Sequence, residues 1–314
     1  MKKVLFITIS LLFFSFANSQ ESELYHKVKI NYISSENFDR LVQSGIPLDH
    51  GIHKKNQYFE SDFSESEIQL IENLNIDYDI EIYDLKSYYK NRNNPNHKDY
   101  VSKSKIKNVS CEESNINEYI TPQNYDIKDG NDFGGFYTYS EMLEELDQMH
   151  QLYPNLISAR LDIKDPNTDD DPHIHQTYEG RFLQWVKISD NPNQAESEPQ
   201  ILYTAIHHAR EPASLQQLIF YMWYLLENYD QDSTIKEIVD NTEMYFVPCV
   251  NPDGYIHNEN TDPEGGGMWR KNRYNNHGVD NNRNYSYIDD SGNEVWNTSG
   301  TSNNQNGSTY AGDG

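Results

Sequence analysis

One segment constrains the fold more than any other. Ile201-Leu-Tyr-Thr-Ala-Ile206 is an apolar run, His207, His208, Arg210 and Glu211 follow at once, and Pro212 opens a stretch with helical patterning to Tyr229. A short apolar run bounded by polar residues reads as a buried strand. Proline is at home in a first helical turn. Strand, polar turn and helix in that order put a cluster of ionisable side chains at the carboxyl end of a strand, which is where open α/β sheets bind ligands.

The neighbouring stretches fit such a sheet. Leu156–Ile163, Phe182–Ile188, Pro199–Ile206 and Glu243–Val250 read as strands. Tyr139–Leu152 and Pro212–Tyr229 read as helices, the first with Met142, Leu143, Leu146 and Met149 on one face. Strands alternating with helices predict an α/β domain. Beyond Asn251 the chain reads as loop-rich to its end. Asp165, Asp169, Asp170 and Asp171 have no regular calcium-ligand spacing and read as a solvated loop.

The first half has a different texture. Lys2 and Lys3 precede a thirteen-residue apolar run, Val4–Phe16, and Ala17-Asn18-Ser19 follows, the pattern of a secretory signal peptide over residues 1–19. Thirteen residues fall short of the roughly twenty that span a bilayer, so a secreted chain, extracellular or periplasmic, with no membrane span is expected. Residues 20–85 read as strand, helix, strand, helix, strand, with Ser64 and Glu67 spaced as a capping box. No cluster in this small α/β unit suggests chemistry. Residues 86–124, rich in Asn, Lys, Ser and Glu, read as a linker, and 125–314 as the second domain. A small module and a linker ahead of a second domain in an exported chain predict a removable prosegment.

Composition narrows the partners. Twenty-five Lys+Arg against 50 Asp+Glu give a net charge of -25, which argues against nucleic acid, since phosphate binding needs clustered cations. The two cysteines, Cys111 and Cys249, exclude a disulfide scaffold and read as unpaired thiols.

The chemistry is concentrated in few places. His208 and Glu211, three apart on a turn into a helix, can face one metal, and imidazole with carboxylate suits zinc. Downstream stand Asn251-Pro-Asp-Gly254, Met268-Trp-Arg-Lys-Asn-Arg273 and Gly278-Val-Asp-Asn-Asn-Arg-Asn-Tyr285. An acidic chain here gathers Arg270, Lys271, Arg273 and Arg283, three guanidinium groups and an ammonium able to hold an anionic substrate and a developing oxyanion.

In this order the four motifs, over residues 134–314, resemble the zinc carboxypeptidases of the A/B type. The resemblance implies a mixed central sheet flanked by helices, one zinc ion, and removal of C-terminal residues from peptides by a monomer. It implies that His208 and Glu211 are zinc ligands and that Arg273 stabilises the oxyanion. Asn282 and Arg283 would grip the substrate's C-terminal carboxylate, with Arg210 and Arg270 lining the cleft. His207 matches no ligand and reads as an orienting neighbour.

The family's third ligand, a histidine, and its general-base glutamate lie further along than Gly314, and His257 and His277 match neither. The 314 residues therefore read as the front part of an enzyme, with little peptidase activity of their own, an open sheet edge and poor stability. A zinc deacylase of N-acyl amino acids and a non-catalytic secreted peptide-binding module are the alternatives.

Overall fold

The computed structural model describes residues 23–31, 34–92, 96–98, 120–126, 128, 133–164, 176–285, 289, 291–293 and 300–312. The apolar leader, Cys111 and the loop carrying Asp165 and Asp169 to Asp171 lie outside these residues.

The N-terminal unit runs β1 (Tyr25–Asn31), α1 (Ser35–Gln43), β2 (Ile52–Lys54), β3 (Tyr58–Ser64), α2 (Glu65–Asn73), β4 (Tyr78–Ile82) and α3 (Leu85–Arg92). Its strands form an antiparallel sheet in the order β2-β3-β1-β4. Val28 and Ile30 alternate inward from β1, and Phe59 and Phe63 from β3. Leu41, Ile68 and Ile71 close the core from the helices. The capping box forms: Ser64 Oγ accepts from the Glu67 amide at 3.3 Å, and the Glu67 carboxylate accepts from the Ser64 amide at 2.8 Å.

Two elements differ from the sequence reading. β2 is three exposed residues, too short to show a period. α3 lies in the stretch read as a linker; Leu85 is its buried residue, so no apolar stripe betrays it.

The second unit contains α4 (Tyr139–Leu152), β5 (Leu161–Asp162), β6 (Gln184–Ile188), β7 (Gln200–Thr204), α5 (Pro212–Asn228), α6 (Ser233–Val239), β8 (Glu243–Val247) and α7 (Pro252–Thr261). Its sheet order is β5-β6-β8-β7, with β7 parallel to β8 and the other pairs antiparallel. The sheet is thus mixed and flanked by helices. Trp223 of α5, Leu146 of α4 and Phe246 of β8 share one buried cluster. Trp223 Nε1 donates to the Glu145 carboxylate at 2.6 Å, so the largest core side chain carries no orphaned donor. Lys187 and Glu243 form a buried ion pair at 2.7 Å across β6 and β8.

Two further readings are corrected. β7 is not buried along its length: Ile201 is 41 % exposed and Leu202 64 %, because β7 is the edge strand of the described sheet. Pro252–Thr261 is helical rather than loop, since Asn251 caps it by accepting from the Gly254 amide at 3.0 Å.

The two units are in contact. Thr309 Oγ1 donates to the Gly45 carbonyl at 2.7 Å, Lys86 pairs with Asp262 and Lys90 with Glu264, and Arg210 lies 5.1 Å over the Tyr25 ring. Between the units lies a cavity of 610 Å³, with Ser61 and Tyr89 on one wall and Phe136, Arg210 and Glu211 on the other.

Candidate metal centre and carboxylate site

The chain leaves β7 through a strained turn. Ile206 holds a φ of 50°, a region β-branched residues avoid. Such strain costs of order 1–3 kcal/mol and persists where its surroundings over-determine it. Here they do: the Ile206 amide donates to Ser214 Oγ at 3.1 Å, and Ala205 is tied by backbone bonds to Val247 and Val250. The turn aims His208 into the protein, where it is 1 % exposed.

His208 is held at both ring nitrogens. Nδ1 lies 2.9 Å from Glu211 Oε1, and Nε2 lies 3.1 Å from Asp280 Oδ1. Asp280 is fully buried, and its Oδ2 accepts from Arg270 Nη2 at 2.9 Å. Burial alone would raise the Asp280 carboxyl, but the His208 bond and the Arg270 charge outweigh it and hold it at about 2. An imidazole oriented by a carboxylate behind it is the usual arrangement of a metal-binding histidine.

A second carboxylate approaches from the N-terminal unit. Asp49 Oδ2 accepts from Arg283 Nη2 at 2.8 Å and from Arg270 Nη2 at 3.1 Å. The carboxyl of Asp49, which burial alone would push up, is held well below the usual range by Arg270, His50 and Arg283. His50 follows, its ring edge-on to His208 with centroids 4.9 Å apart.

The remaining motif residues explain the frame. Asn251 Nδ2 donates to the carbonyls of His207 and Arg270, each at 3.4 Å, joining the two motifs. Gly254 is required because an added Cβ would sit 2.5 Å from the Lys271 carbonyl oxygen. Asp253 accepts from Thr177, the Glu179 amide and Arg181. Lys271, read as one of a basic set around substrate, is instead buried and donates to the carbonyls of Gln305 and Gly307 at 2.7 and 2.9 Å.

The structure brings together His208, Glu211, Arg270 and Arg283. Asn282 is adjacent, its carbonyl accepting from Arg283 Nη1 at 3.0 Å. Arg210 lines the inter-unit cavity. Arg273 belongs to a different cluster, stacked 4.2 Å over Trp269 with its Nε 3.8 Å from Glu179. His207 bonds Tyr285 at 2.7 Å; Asp280 does the orienting expected of it. Asp280, Asp49 and His50 carried no role in the sequence reading. Asp280 sat inside a quoted motif. Asp49 and His50 had no local signal, and the expectation of no chemistry in their unit is corrected.

The residues fit a metal. His208 Nε2 faces Asp280 and Nδ1 faces the Glu211 carboxylate, so loss of the Nδ1 proton would free a lone pair there for a metal. His50 Nε2 stands 3.2 Å from the same oxygen, buried and without a hydrogen bond among the described residues. A proton on His208 satisfies its own contacts without metal, and a cation that displaced it would find the same donors already converging. Two nitrogens and a carboxylate oxygen are donors that suit zinc.

Fold and site define an α/β protein with a candidate metal-ligand cluster beside a pair of arginines that hold the Asp49 carboxylate. Residues 142–314, more than half of the chain, match the family described as "Zinc carboxypeptidase". The chain belongs to the zinc carboxypeptidase family, whose cofactor is zinc. It is 33 % identical over 158 residues to a zinc carboxypeptidase of Saccharothrix mutabilis subsp. capreolus, covering 49 % of this chain and 33 % of that one. It is 32 % identical over 142 residues to metallocarboxypeptidase A of Trichophyton tonsurans, covering 44 % and 31 %. The chain thus matches about a third of the length of these relatives. In fold it is similar to carboxypeptidase A from Helicoverpa armigera, with a TM-score of 0.61 and 19 % identity, over 92 % of this chain and 62 % of that one.

Proposed function

We propose that this chain belongs to a secreted zinc metallocarboxypeptidase precursor, acting on the free C-termini of peptides. The observation that carries the reading is Asp49: a carboxylate bridges Arg283 and Arg270 beside His208 and Glu211. A substrate's C-terminal carboxylate would take that place, held by Arg283 in the bidentate manner that guanidinium allows. His208 and Glu211 would hold the zinc, which supplies Lewis-acid polarisation of the scissile carbonyl and lowers the pKa of water. Asp280 fixes the His208 ring, and Arg270 keeps Asp280 ionised. An oxyanion donor is worth about 10²–10³ in rate; Arg270, whose buried Nη1 lies 3.9 Å from Glu211 Oε1 without a hydrogen bond, is better placed for that role than Arg273, which stacks on Trp269.

In this reading residues 1–19 are a signal peptide, the N-terminal unit is a prosegment whose Asp49 fills the substrate's place, and the protein is a monomer. Among the described residues no helix is long and apolar enough to cross a membrane. The 314 residues assayed alone are expected to show little turnover. The test uses the protein expressed from its full reading frame, freed of the N-terminal unit. A blocked dipeptide with a free C-terminus should be cleaved, and its C-terminal amide should not. Arg283→Ala should raise KM for the acid. Equal cleavage of acid and amide would overturn the reading, as would cleavage of N-acyl amino acids alone.

A further inference from the structure

We propose that His50 of the N-terminal unit is itself a metal ligand, its Nε2 joining His208 Nδ1 and Glu211 Oε1 so that the N-terminal unit closes the zinc site by coordination. The proposal rests on the zinc reading of the site and adds a device to it: a ligand that leaves with the prosegment.

Three observations carry it. Nε2 of His50 is buried and has no hydrogen bond among the described residues, although Glu211 Oε1 is 3.2 Å away and Asp49 Oδ1 is 3.4 Å away. A buried imidazole nitrogen with oxygens on two sides and no bond to either is costly unless a cation completes it. Asp49, His50 and His208 also form a group whose ligand atoms all lie within 4.8 Å of one another, which places His50 beside His208 with Asp49, rather than Glu211, as the third donor of that group. Donors around one tetrahedral zinc stand roughly 3.3 Å apart, close to the 2.9 and 3.2 Å that separate Glu211 Oε1 from the two histidines.

The segment is also built to present that nitrogen. On one side of His50, Asp49 is clasped by Arg283 and Arg270. On the other, Gly51 has a φ of 118°, and a Cβ there would run into the Glu60 carbonyl. A side chain at 51 is excluded, so the chain turns sharply against β3 directly after His50. Both anchors fix the imidazole: Asp49 is clasped by the two arginines, and Gly51 holds the turn against β3.

A catalytic zinc needs an open position for water, whereas structural zinc sites are closed. A ligand from the N-terminal unit makes the site resemble the closed kind. Its removal opens the position while His208 and Glu211 remain.

The test reads metal binding, not turnover. The 314-residue chain, stripped of metal, is titrated with Co(II), followed by visible absorption, and with Zn(II) against a competing chelator. His50→Ala should change the Co(II) spectrum and weaken Zn(II) by more than about tenfold, the loss typical even of outer partners. His53→Ala, on the neighbouring strand, should change neither. In the unaltered chain, Co(II)-shifted ring N–H signals should come from two histidines, a readout independent of how His50→Ala folds. Unchanged spectrum and affinity in folded His50→Ala, or a single shifted histidine, would overturn the proposal and leave the carboxypeptidase reading standing. No Co(II) binding by the unaltered chain would overturn the proposal, since His50, His208 and Glu211 are all present in it, and would leave the carboxypeptidase reading to its own test.

Discussion

Arg270 is held by two carboxylates on different footings. Asp280 comes from the same unit, is fully buried, and binds both Arg270 and His208. Asp49 comes from the other unit, has a side chain 24 % exposed, and binds Arg270 and Arg283. The first contact is permanent architecture. The second can be exchanged for another carboxylate without uncovering a buried charge. In the proposed function that asymmetry has a use: one anion builds the site and the other stands where a C-terminal carboxylate would bind.

The sharpest way to break the comparison is Asp280→Asn. Arg270 would stay buried with its main counter-charge gone, and losing one partner of a buried pair costs about 3–5 kcal/mol. Denaturant unfolding should show that loss, and zinc affinity should fall by about 10–100-fold as His208 loses its orienter. Gly254→Ala comes next. Its methyl would press on the Lys271 carbonyl, and overpacking of this kind costs typically 1–3 kcal/mol, read as a lower melting temperature.

Asp49→Asn should cost less, about 1 kcal/mol or under, as for a solvent-screened pair. It should also strengthen binding of an acetylated dipeptide acid, by calorimetry, and leave the amide unaffected. A stability loss as large as that of Asp280→Asn would erase the distinction between the two carboxylates.

A further effect, seen only as a pH dependence, lies away from the site. Burial pushes the Glu259 carboxyl up to about 7, against the opposing bond from the Tyr139 amide. A folded value above the unfolded one means the native state binds the extra proton. Stability is then fully present below about 4.5 and is lost as pH rises through about 7. The melting temperature of Glu259→Gln, minus that of the parent, should therefore grow from pH 5 to pH 7.5. A flat difference would refute the assignment.

The elements that were legible share a cause. Val28, Ile30, Phe59, Phe63 and the Ser64–Glu67 box are local patterns, and the N-terminal sheet forms where they predict. So do α4 and α5, whose apolar stripes meet in the core. β2 and α3 escaped because they bury almost nothing. β7 misled because an apolar run marks what a strand could bury, and Ile201 and Leu202 remain exposed at the edge. Within the site, His208 and Glu211 are three residues apart and could be paired on paper. Asp280 is 72 residues from His208, and Asp49 is 234 from Arg283.

The sequence by itself determined the two α/β units, the strand-to-helix turn that carries His208 and Glu211, and the family. All of these rest on periodicity, caps or contiguous motifs, which act over a few residues. Only the tertiary structure decided that Asp280 orients His208, that Lys271 is a buried anchor, that Arg273 stands apart, and that Asp49 and His50 stand against His208, Glu211 and the two arginines. Those contacts depend on which charges the fold brings together out of water. Their energy comes from burial and mutual pairing, and no stretch of chain records it in advance.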